Sequence, residues 1–342
     1  MKFGAVPVGE AEGATLAHSV GVADGVIRKG TVLGSAEIDR LLAAGLEKVV
    51  VAQLEPGDLT EDRAAERIAD RLRSEGLRLG TASTGRVNVI ATRPGIVRVN
   101  AAAIAAMNAV DEGITLATLS DFMRVEADQL VATVKIIPYG VPGAVVDRAV
   151  SVLGEVAIRH LPFQGGHASL ILTRTRGFKK SLLAKSESVV RDRLEGLGFT
   201  LENVRVVDHE TGAIASALTR EADLTLILGA SATSDRQDVA PAALVAAGGT
   251  VERFGMPVDP GNLLFTGRIG GKPVVGLPGC ARSPALNGAD WVLERLAVGL
   301  DVTDADIAAM GVGGLLKEMP DRPHPRRARE RRRPATVPPP RH

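Results

Sequence analysis

The chain has 342 residues, 45% of them hydrophobic and 24% charged, which is enough for two or three domains with real cores. Aromatic residues make up only 3%, with Trp291 and Tyr139 each the sole member of its type, so the stacking platforms that single-stranded nucleic acid needs are lacking. The net charge of +1 is unevenly placed: from Asp321 onward eight Arg face only Asp321 and Glu330, so a tail of +6 follows a body of −5, which excludes a basic body for nucleic acid.

Cys280 is the sole cysteine, so no disulfide forms within the chain, as expected in a reducing compartment. The N-terminus, Met1 to Pro7, has neither a long apolar core nor a signal-peptide cleavage pattern. No stretch approaches the ~18 apolar residues of a membrane span. These features predict a cytoplasmic, soluble protein.

Residues 1–80 read as an α+β region. Ala23-Asp24-Gly25 and Lys29-Gly30 supply turns between short strands. Ser35 is a candidate N-cap for a helix ending near Gly45, with Ile38, Leu41 and Leu42 as its buried stripe. Val49 to Val51 reads as a strand and Pro56-Gly57 as a turn. A second helix starts near Thr60 and buries Ala64, Ile68 and Leu72.

Residues 81–163 read as a β-rich, α+β linker domain. Gly85 to Thr92 and Ile96 to Val99 are predicted strands around Arg93-Pro94-Gly95. Asn100 caps a helix over Ala101 to Val110. Ile114 to Leu119 and Leu130 to Ile137 are predicted strands, and Val141 to Leu153 has helical spacing.

Pro162 to Gly166 reads as a domain boundary, and residues 166–300 form the next domain. Its pattern is regular: strands at Ser169 to Leu172, Leu201 to Val207, Leu224 to Leu228 and Val274 to Leu277. Helices are predicted at Ser186 to Leu197, Ala213 to Arg220, from Val239 to Ala247, and at Pro284 to Leu300. This alternation predicts an α/β fold with a doubly wound, mostly parallel sheet. Ligands of such sheets sit beyond the carboxyl ends of the strands, so the loops 173–177, 229–238 and 278–283 should share one rim. A helical extension over 301–320 follows. The Arg/Pro-rich stretch 321–342 cannot bury enough apolar surface to offset its ordering entropy, and is expected to be disordered.

The stretch from Asp223 to Asp238 carries the strongest local signal. A buried strand leads into Gly229, Ala230, Ser231, Ala232, Thr233 and Ser234, all small enough for backbone to lie against a ligand. Free N–H groups near a helix start favour an anion. Charge-assisted bonds from loop amides, ~1.5–3 kcal/mol each, outweigh the helix dipole. An ordinary turn with an Asp cap explains the same residues, and both readings stand.

Three signals occur in order: Gly229-Ala230-Ser231 with Asp238-Val239-Ala240-Pro241, then Asp259-Pro260-Gly261-Asn262-Leu263, then Gly276-Leu277-Pro278-Gly279. Together residues 168–300 resemble the molybdopterin-binding domain of molybdenum cofactor biosynthesis proteins, the MoaB/Mog type. The N-terminal half resembles the MoeA-type molybdotransferase more weakly, through Gly30-Thr31-Val32-Leu33 and Ile136-Ile137-Pro138. The resemblance implies a rim that holds a pterin and its terminal phosphate. The implied ligand-binding residues are Thr173, Arg174, Thr175 and Arg176; Gly229, Ala230, Ser231 and Ala232; Pro260, Gly261 and Asn262; and Pro278, Gly279, Cys280, Arg282 and Ser283. It also implies a catalytic role for Asp238, with Asp235 beside it, and a Mg²⁺ bound at Asp238. Mg²⁺ is commonly held by one or two carboxylates plus phosphate oxygens, whereas an N-cap role is the other reading of Asp238. Molybdopterin or its nucleotide form is thus the expected ligand. A cytidylyltransferase or a target molybdoenzyme is the expected partner, with a homo-oligomer as the expected assembly. Similar chains often continue into a MobA-like cytidylyltransferase domain; here the Arg/Pro-rich stretch stands in that place.

Departures from the family pattern bear on the activity. Thr-Gly-Asp-Glu-Leu of the molybdenum-inserting relatives reads Thr173-Arg174-Thr175-Arg176-Gly177 here, and Lys-Pro-Gly-Lys-Pro reads Asp259-Pro260-Gly261-Asn262-Leu263. Two cations are lost near the oxyanion, where one charge pair at ~4 Å is worth ~4 kcal/mol at an effective dielectric of ~20. Arg174 and Arg176 could grip a phosphate bidentately. This pattern favours pterin binding over molybdate insertion, with an active molybdotransferase and a non-catalytic scaffold as alternatives. Cys280, just before the expected helix start, is a candidate for a lowered thiol pKa or a small filler of a tight turn. Asn287 is a further candidate to face the pocket. His160, His167 and His209 lack metal-ligand spacing.

Overall fold

The computed structural model describes residues 1–177 and 179–316. The stretch 321–342 and the end of the expected 301–320 extension lie outside the described residues. The chain divides into two compact units. The first comprises residues 1–166, 194–200 and 293–301; among the described residues the second comprises 167–193, 201–292 and 302–316.

The first unit contains two apolar cores. One gathers Val8, Leu16, Leu33, Leu41 and Val51. It lies on an antiparallel three-stranded sheet of Lys2–Pro7, Lys48–Gln53 and Thr15–Leu16, in which Lys48–Gln53 is central. The helix Ser35–Ala43 begins one residue earlier than the sequence predicts: Gly34 is the N-cap, and Glu37 reaches back to the Gly34 N–H at 3.0 Å. The helix Glu61–Asp70 is capped by Thr60, whose hydroxyl accepts from the Arg63 N–H. That helix contributes Ala64, Ala65, Ile68 and Ala69 to the second core.

The second core sits under a four-stranded antiparallel sheet in the order Ile114–Thr118, Leu130–Ile136, Arg86–Ala91 and Leu77–Leu79. The predicted strands on either side of Arg93-Pro94-Gly95 do not pair with each other. Arg86–Ala91 stays in this sheet, whereas Gly95–Val99 joins Arg124–Val125 and Ile158–Pro162 in another. Gly95 is needed there, because a Cβ would overlap the Leu161 carbonyl and the His160 ring. Asn100 caps Ala101–Asn108 through the Ala103 N–H, and Gly143–Leu153 forms the last helix before the boundary stretch.

The second unit is built on a six-stranded sheet. Its strands are β1 Gly166–Arg174, β2 Phe199–Asp208, β3 Leu224–Leu228, β4 Thr250–Phe254, β5 Phe265–Ile269 and β6 Lys272–Leu277. They lie in the order β2-β1-β3-β6-β5-β4. The helices are α1 Lys180–Glu195, α2 Thr211–Ala217, α3 Val239–Ala246, α4 Gly288–Ala297 and α5 Asp304–Ala309, of which residues 194–195 of α1 and 293–297 of α4 are counted with the first unit.

The expectation of a mostly parallel sheet needs correction. β1 runs parallel to β3 and β3 to β6, but β6, β5 and β4 pair antiparallel. The sheet is mixed because β5 and β6 are joined by Gly270-Gly271, both at positive φ, a two-residue hairpin turn that returns the chain alongside itself. β4 and β5 were not read as strands in the sequence. β5 fits closely beside β6, since a Cβ on Gly276 would enter the Phe265 ring.

All five residues of β3 are buried, as expected for a central strand covered on both faces. On one face Ile171, Ile227, Phe265 and Val274 pack against Ile214 and Ala217 of α2 and Ala240, Ala243 and Leu244 of α3. Leu170, Leu172, Leu226 and Leu228 alternate onto the other face and are equally buried. Among the described residues, no helix is long and apolar enough to cross a membrane.

Candidate functional site

Strand register sets the site. Leu172 of β1 lies beside Leu228 of β3, and Leu228 lies beside Leu277 of β6. The next residues, Thr173, Gly229 and Pro278, therefore leave the sheet in one row at the carboxyl ends of three parallel strands. The topology reverses at this row. From β1 the chain passes outward to β2 on one side, then returns to β3 on the other. Crevices at such switch points are where open α/β sheets take ligands.

Thr173 is the pivot. It is fully buried, and its Oγ1 accepts the Ala230 N–H at 2.6 Å. The same oxygen lies 2.8 Å from His209 Nδ1. With one lone pair taken by Ala230, the hydroxyl proton is available for His209. His209 is held from its backbone as well, its N–H donating to the Arg174 carbonyl at 2.9 Å. The sequence did not single out His209 as a site residue. It stands alone after Asp208 at the end of β2 with no motif around it, and only the register of β2 beside β1 brings it to the row.

The third loop is closed by Arg282. A 3-10 turn, Gly279–Arg282, follows Pro278. Arg282 Nη2 donates to the Gly229 carbonyl at 2.6 Å, and its Nη1 donates to Ser186 Oγ at 2.6 Å. Ser186 is fully buried and passes its own proton to the Leu182 carbonyl of α1. Burial pushes the Arg282 pKa down from its ordinary value. Arg282 thus fastens the second loop to the third and to α1, and these two donors serve the protein. The sequence suggested a phosphate contact for this residue.

Arg193 of α1 braces the same loop from below. It pairs with the buried Asp290 and donates to the carbonyls of Ala281 at 3.0 Å, Ser283 at 3.0 Å and Ala285 at 3.4 Å. Asp290 also accepts the Asn287 N–H at 2.8 Å. Asn287 is fully buried, with its side-chain oxygen on the Ala289 N–H and its amide on the Ala285 carbonyl, so it ties the start of α4 instead of facing a pocket. The helix itself begins at Gly288, four residues later than the sequence predicts.

The second loop leaves its middle amides open. Ala230 donates to Thr173, but among the described residues the N–H groups of Ser231, Ala232 and Thr233 donate to no protein acceptor. Ser231 and Ala232 are exposed. Three successive uncommitted amides leave three donors open to an acceptor from outside the chain. The loop ends at Asp238, the N-cap of α3. Its Oδ1 accepts the Val239 N–H at 2.8 Å; its Oδ2 accepts the Ser234 N–H at 3.0 Å and the Ser234 hydroxyl at 3.4 Å. These bonds, with the nearby His209, hold the Asp238 carboxyl below the usual carboxylate range. Three of its roughly four lone-pair sites are used, so one remains. Asp235 is exposed and closes its own turn through the Gln237 N–H at 2.7 Å.

In the first loop, Arg174 Nε pairs with Asp208 at 2.9 Å, and Thr175 and Arg176 are exposed. Arg176 makes no ion pair among the described residues. Pro260, Gly261 and Asn262 are tied to their own turn and to the start of α4. The Pro260 carbonyl accepts the Gly288 N–H at 2.8 Å, and Asn262 bonds the Met256 carbonyl at 3.3 Å. Gly261 sits at φ 144 with a virtual Cβ 2.7 Å from the Gly288 nitrogen, so this turn packs against the start of α4. Ser283 stays local, its hydroxyl accepting the Ala285 N–H at 3.3 Å. Cys280 is half-buried, and burial pushes its thiol up, with Asp259 adding to the shift. The lowered thiol pKa expected from a helix start is therefore corrected: the α4 start lies too far along the chain to lower it.

Among the described residues, no group of three or more His, Cys, Asp or Glu side chains gathers to hold a metal ion. A Mg²⁺ at Asp238 would need its other ligands from phosphate oxygens and water.

The family description "Domain of unknown function (DUF8806)" matches residues 5–53. No curated protein matches the chain. Among solved structures the chain is similar to the molybdopterin biosynthesis MoeA protein from Pyrococcus horikoshii, at 14% identity over 87% of this chain and 76% of that one, with a TM-score of 0.30. It is also similar to a molybdopterin biosynthesis protein from Mycobacterium abscessus, at 16% identity over 39% of this chain and 92% of that one, with a TM-score of 0.27. Molybdenum cofactor biosynthesis protein B gives 16% identity over 39% and 88%, with a TM-score of 0.27.

Proposed function

We propose that the row at Thr173, Gly229 and Pro278 binds the phosphorylated end of molybdopterin, or of its nucleotide form, during molybdenum cofactor biosynthesis. The observation that supports this reading most is the set of uncommitted amides at Ser231, Ala232 and Thr233, in a loop anchored at its start by Arg282 on the Gly229 carbonyl and Thr173 on the Ala230 N–H. The amides supply donors for phosphate oxygens, and the exposed Arg176 of the first loop adds a cation. Mg²⁺ would enter with the phosphate, Asp238 giving it one carboxylate oxygen.

Binding is favoured over molybdate insertion by the chemistry of the second motif. Asp259 and Asn262 stand where the resembled family carries lysines, and Asn262 is already bonded to Met256. Calorimetric titration of the full chain with molybdopterin and with its cytidine dinucleotide tests the reading. Micromolar binding that weakens in R176A is the expected result; no binding at micromolar concentrations rejects it. A molybdate-dependent reconstitution assay separates the transferase reading, for which little turnover is expected.

A further inference from the structure

We propose that the first unit carries a separate binding site for a small organic phosphate, lined by Arg98 and Arg159. These two residues face each other across the antiparallel pair Gly95–Val99 and Ile158–Pro162. Directly opposed side chains share one face of the sheet with Cβ atoms about 4.5–5.5 Å apart, and like charges in that position repel. An anion held between the two guanidinium groups relieves that repulsion. Here the face opens instead onto a cavity of about 530 Å³, whose lining contains both arginines and no carboxylate.

The surroundings orient Arg98 without using its outer nitrogens. Its Nε donates to Asp121 Oδ1 at 3.0 Å, and that oxygen also accepts the N–H groups of Val99 at 2.9 Å and Phe122 at 3.0 Å. The guanidinium carbon of Arg98 lies 3.9 Å from the centre of the Phe122 ring, and that of Arg295 lies 4.0 Å from the same centre. Two groups that close to one centroid cannot share a face, so the ring is held between two cations. Phe122 adopts φ 60, a backbone conformation that a bulky residue seldom takes and that costs of the kind found at ligand clamps. Arg159 is exposed and makes no ion pair among the described residues. Asp121 thus engages Arg98 through Nε alone.

The terminal nitrogens of Arg98 and Arg159 form two forks suited to phosphate oxygens. The remaining wall is largely apolar, with Val156, Leu161 and Leu300. The volume exceeds what a bare phosphate fills, so the fitting ligand is a phosphate monoester with a compact apolar body. This site lies wholly in the first unit and does not depend on the row at Thr173.

Phenyl phosphate and inorganic phosphate, titrated calorimetrically into the full chain at low and at physiological salt, test the proposal. Phenyl phosphate is expected to bind about threefold or more tighter than inorganic phosphate because of the apolar wall. R98Q/R159Q is expected to weaken phenyl phosphate by about tenfold or more, and to do so equally in an R174A/R176A background, where the row at Thr173 lacks its arginines. The Nε–H resonance of Arg98 should shift on titration of the wild-type chain. R159Q alone changes an exposed, unpaired residue and serves if the double variant does not fold; it should lose at least half of the effect on a logarithmic scale. Binding unaltered by R159Q and by the double variant overturns the proposal, as does an absence of binding at millimolar phenyl phosphate.

Discussion

Replacing Thr173 by Val removes one hydroxyl and changes little volume, so it isolates the pivot of the site. In the wild-type chain that hydroxyl accepts the Ala230 N–H at 2.6 Å and contacts His209 Nδ1 at 2.8 Å. Thr173 is fully buried, so the Ala230 N–H loses its acceptor where water does not readily replace it. An unsatisfied buried donor costs about 1–3 kcal/mol. His209 is half-buried and can turn toward water, which keeps its share at the low end. A loss of about 2 kcal/mol is expected; with a urea slope of about 1–3 kcal/mol per molar, the unfolding midpoint falls by roughly 1 M. Trp291 is the sole tryptophan and lies in the second unit, so its fluorescence follows the unit that contains the change. Phosphopterin affinity should fall with it by about tenfold, because the amides at Ser231 to Thr233 lose one of their two anchors. A midpoint within experimental error of wild type, with unchanged affinity, refutes the reasoning that this hydroxyl frames the site.

Arg193→Ala leaves Asp290 as an uncompensated buried charge and frees three carbonyls of the third loop, so a destabilisation of about 3–5 kcal/mol is expected in the same urea assay. Gly261→Ala places a Cβ 2.7 Å from the Gly288 nitrogen at a φ of 144, and should lower the melting temperature of the second unit by several degrees, read by Trp291 fluorescence. The Asp238 carboxyl is held below the usual carboxylate range, so its contribution is present above the unfolded pKa and is lost as pH falls through the lower folded value. Asp238→Ala should therefore flatten the acid limb of a stability-against-pH curve and cost about 0.5–2 kcal/mol near neutrality through loss of the cap. Burial pushes the Cys280 thiol up, so alkylation by iodoacetamide near neutral pH should be slower than that of glutathione; an equal or faster rate contradicts the assignment.

What was readable in the sequence was local. Leu224–Leu228 declared itself as a central strand because five consecutive apolar or β-branched residues are buried on both faces. Thr60, Asn100 and Asp238 were recognisable as caps because a short polar side chain before an apolar-periodic run satisfies free amides within the same turn. Ser35 was misplaced by one residue, since Glu37 supplies the reciprocal bond to a glycine that has no side chain of its own. The two strands β4 and β5 escaped because Thr250–Phe254 mixes charge with apolar residues and Phe265–Ile269 carries a glycine where the partner backbone comes close.

The order of strands, small residues and helix starts along the second half pointed, without any structure, to the loops 173–177, 229–238 and 278–283 as leaving one rim of the sheet. Which side chains finish that site was decided only in three dimensions. His209, Ser186 and Arg193 reach it from elements distant in sequence, and parallel strand register alone brings Thr173, Gly229 and Pro278 into one row. The pairing of Arg98 with Arg159 was likewise invisible, because a contact between residues 61 positions apart depends on which strands meet, and local residue pattern does not encode that choice.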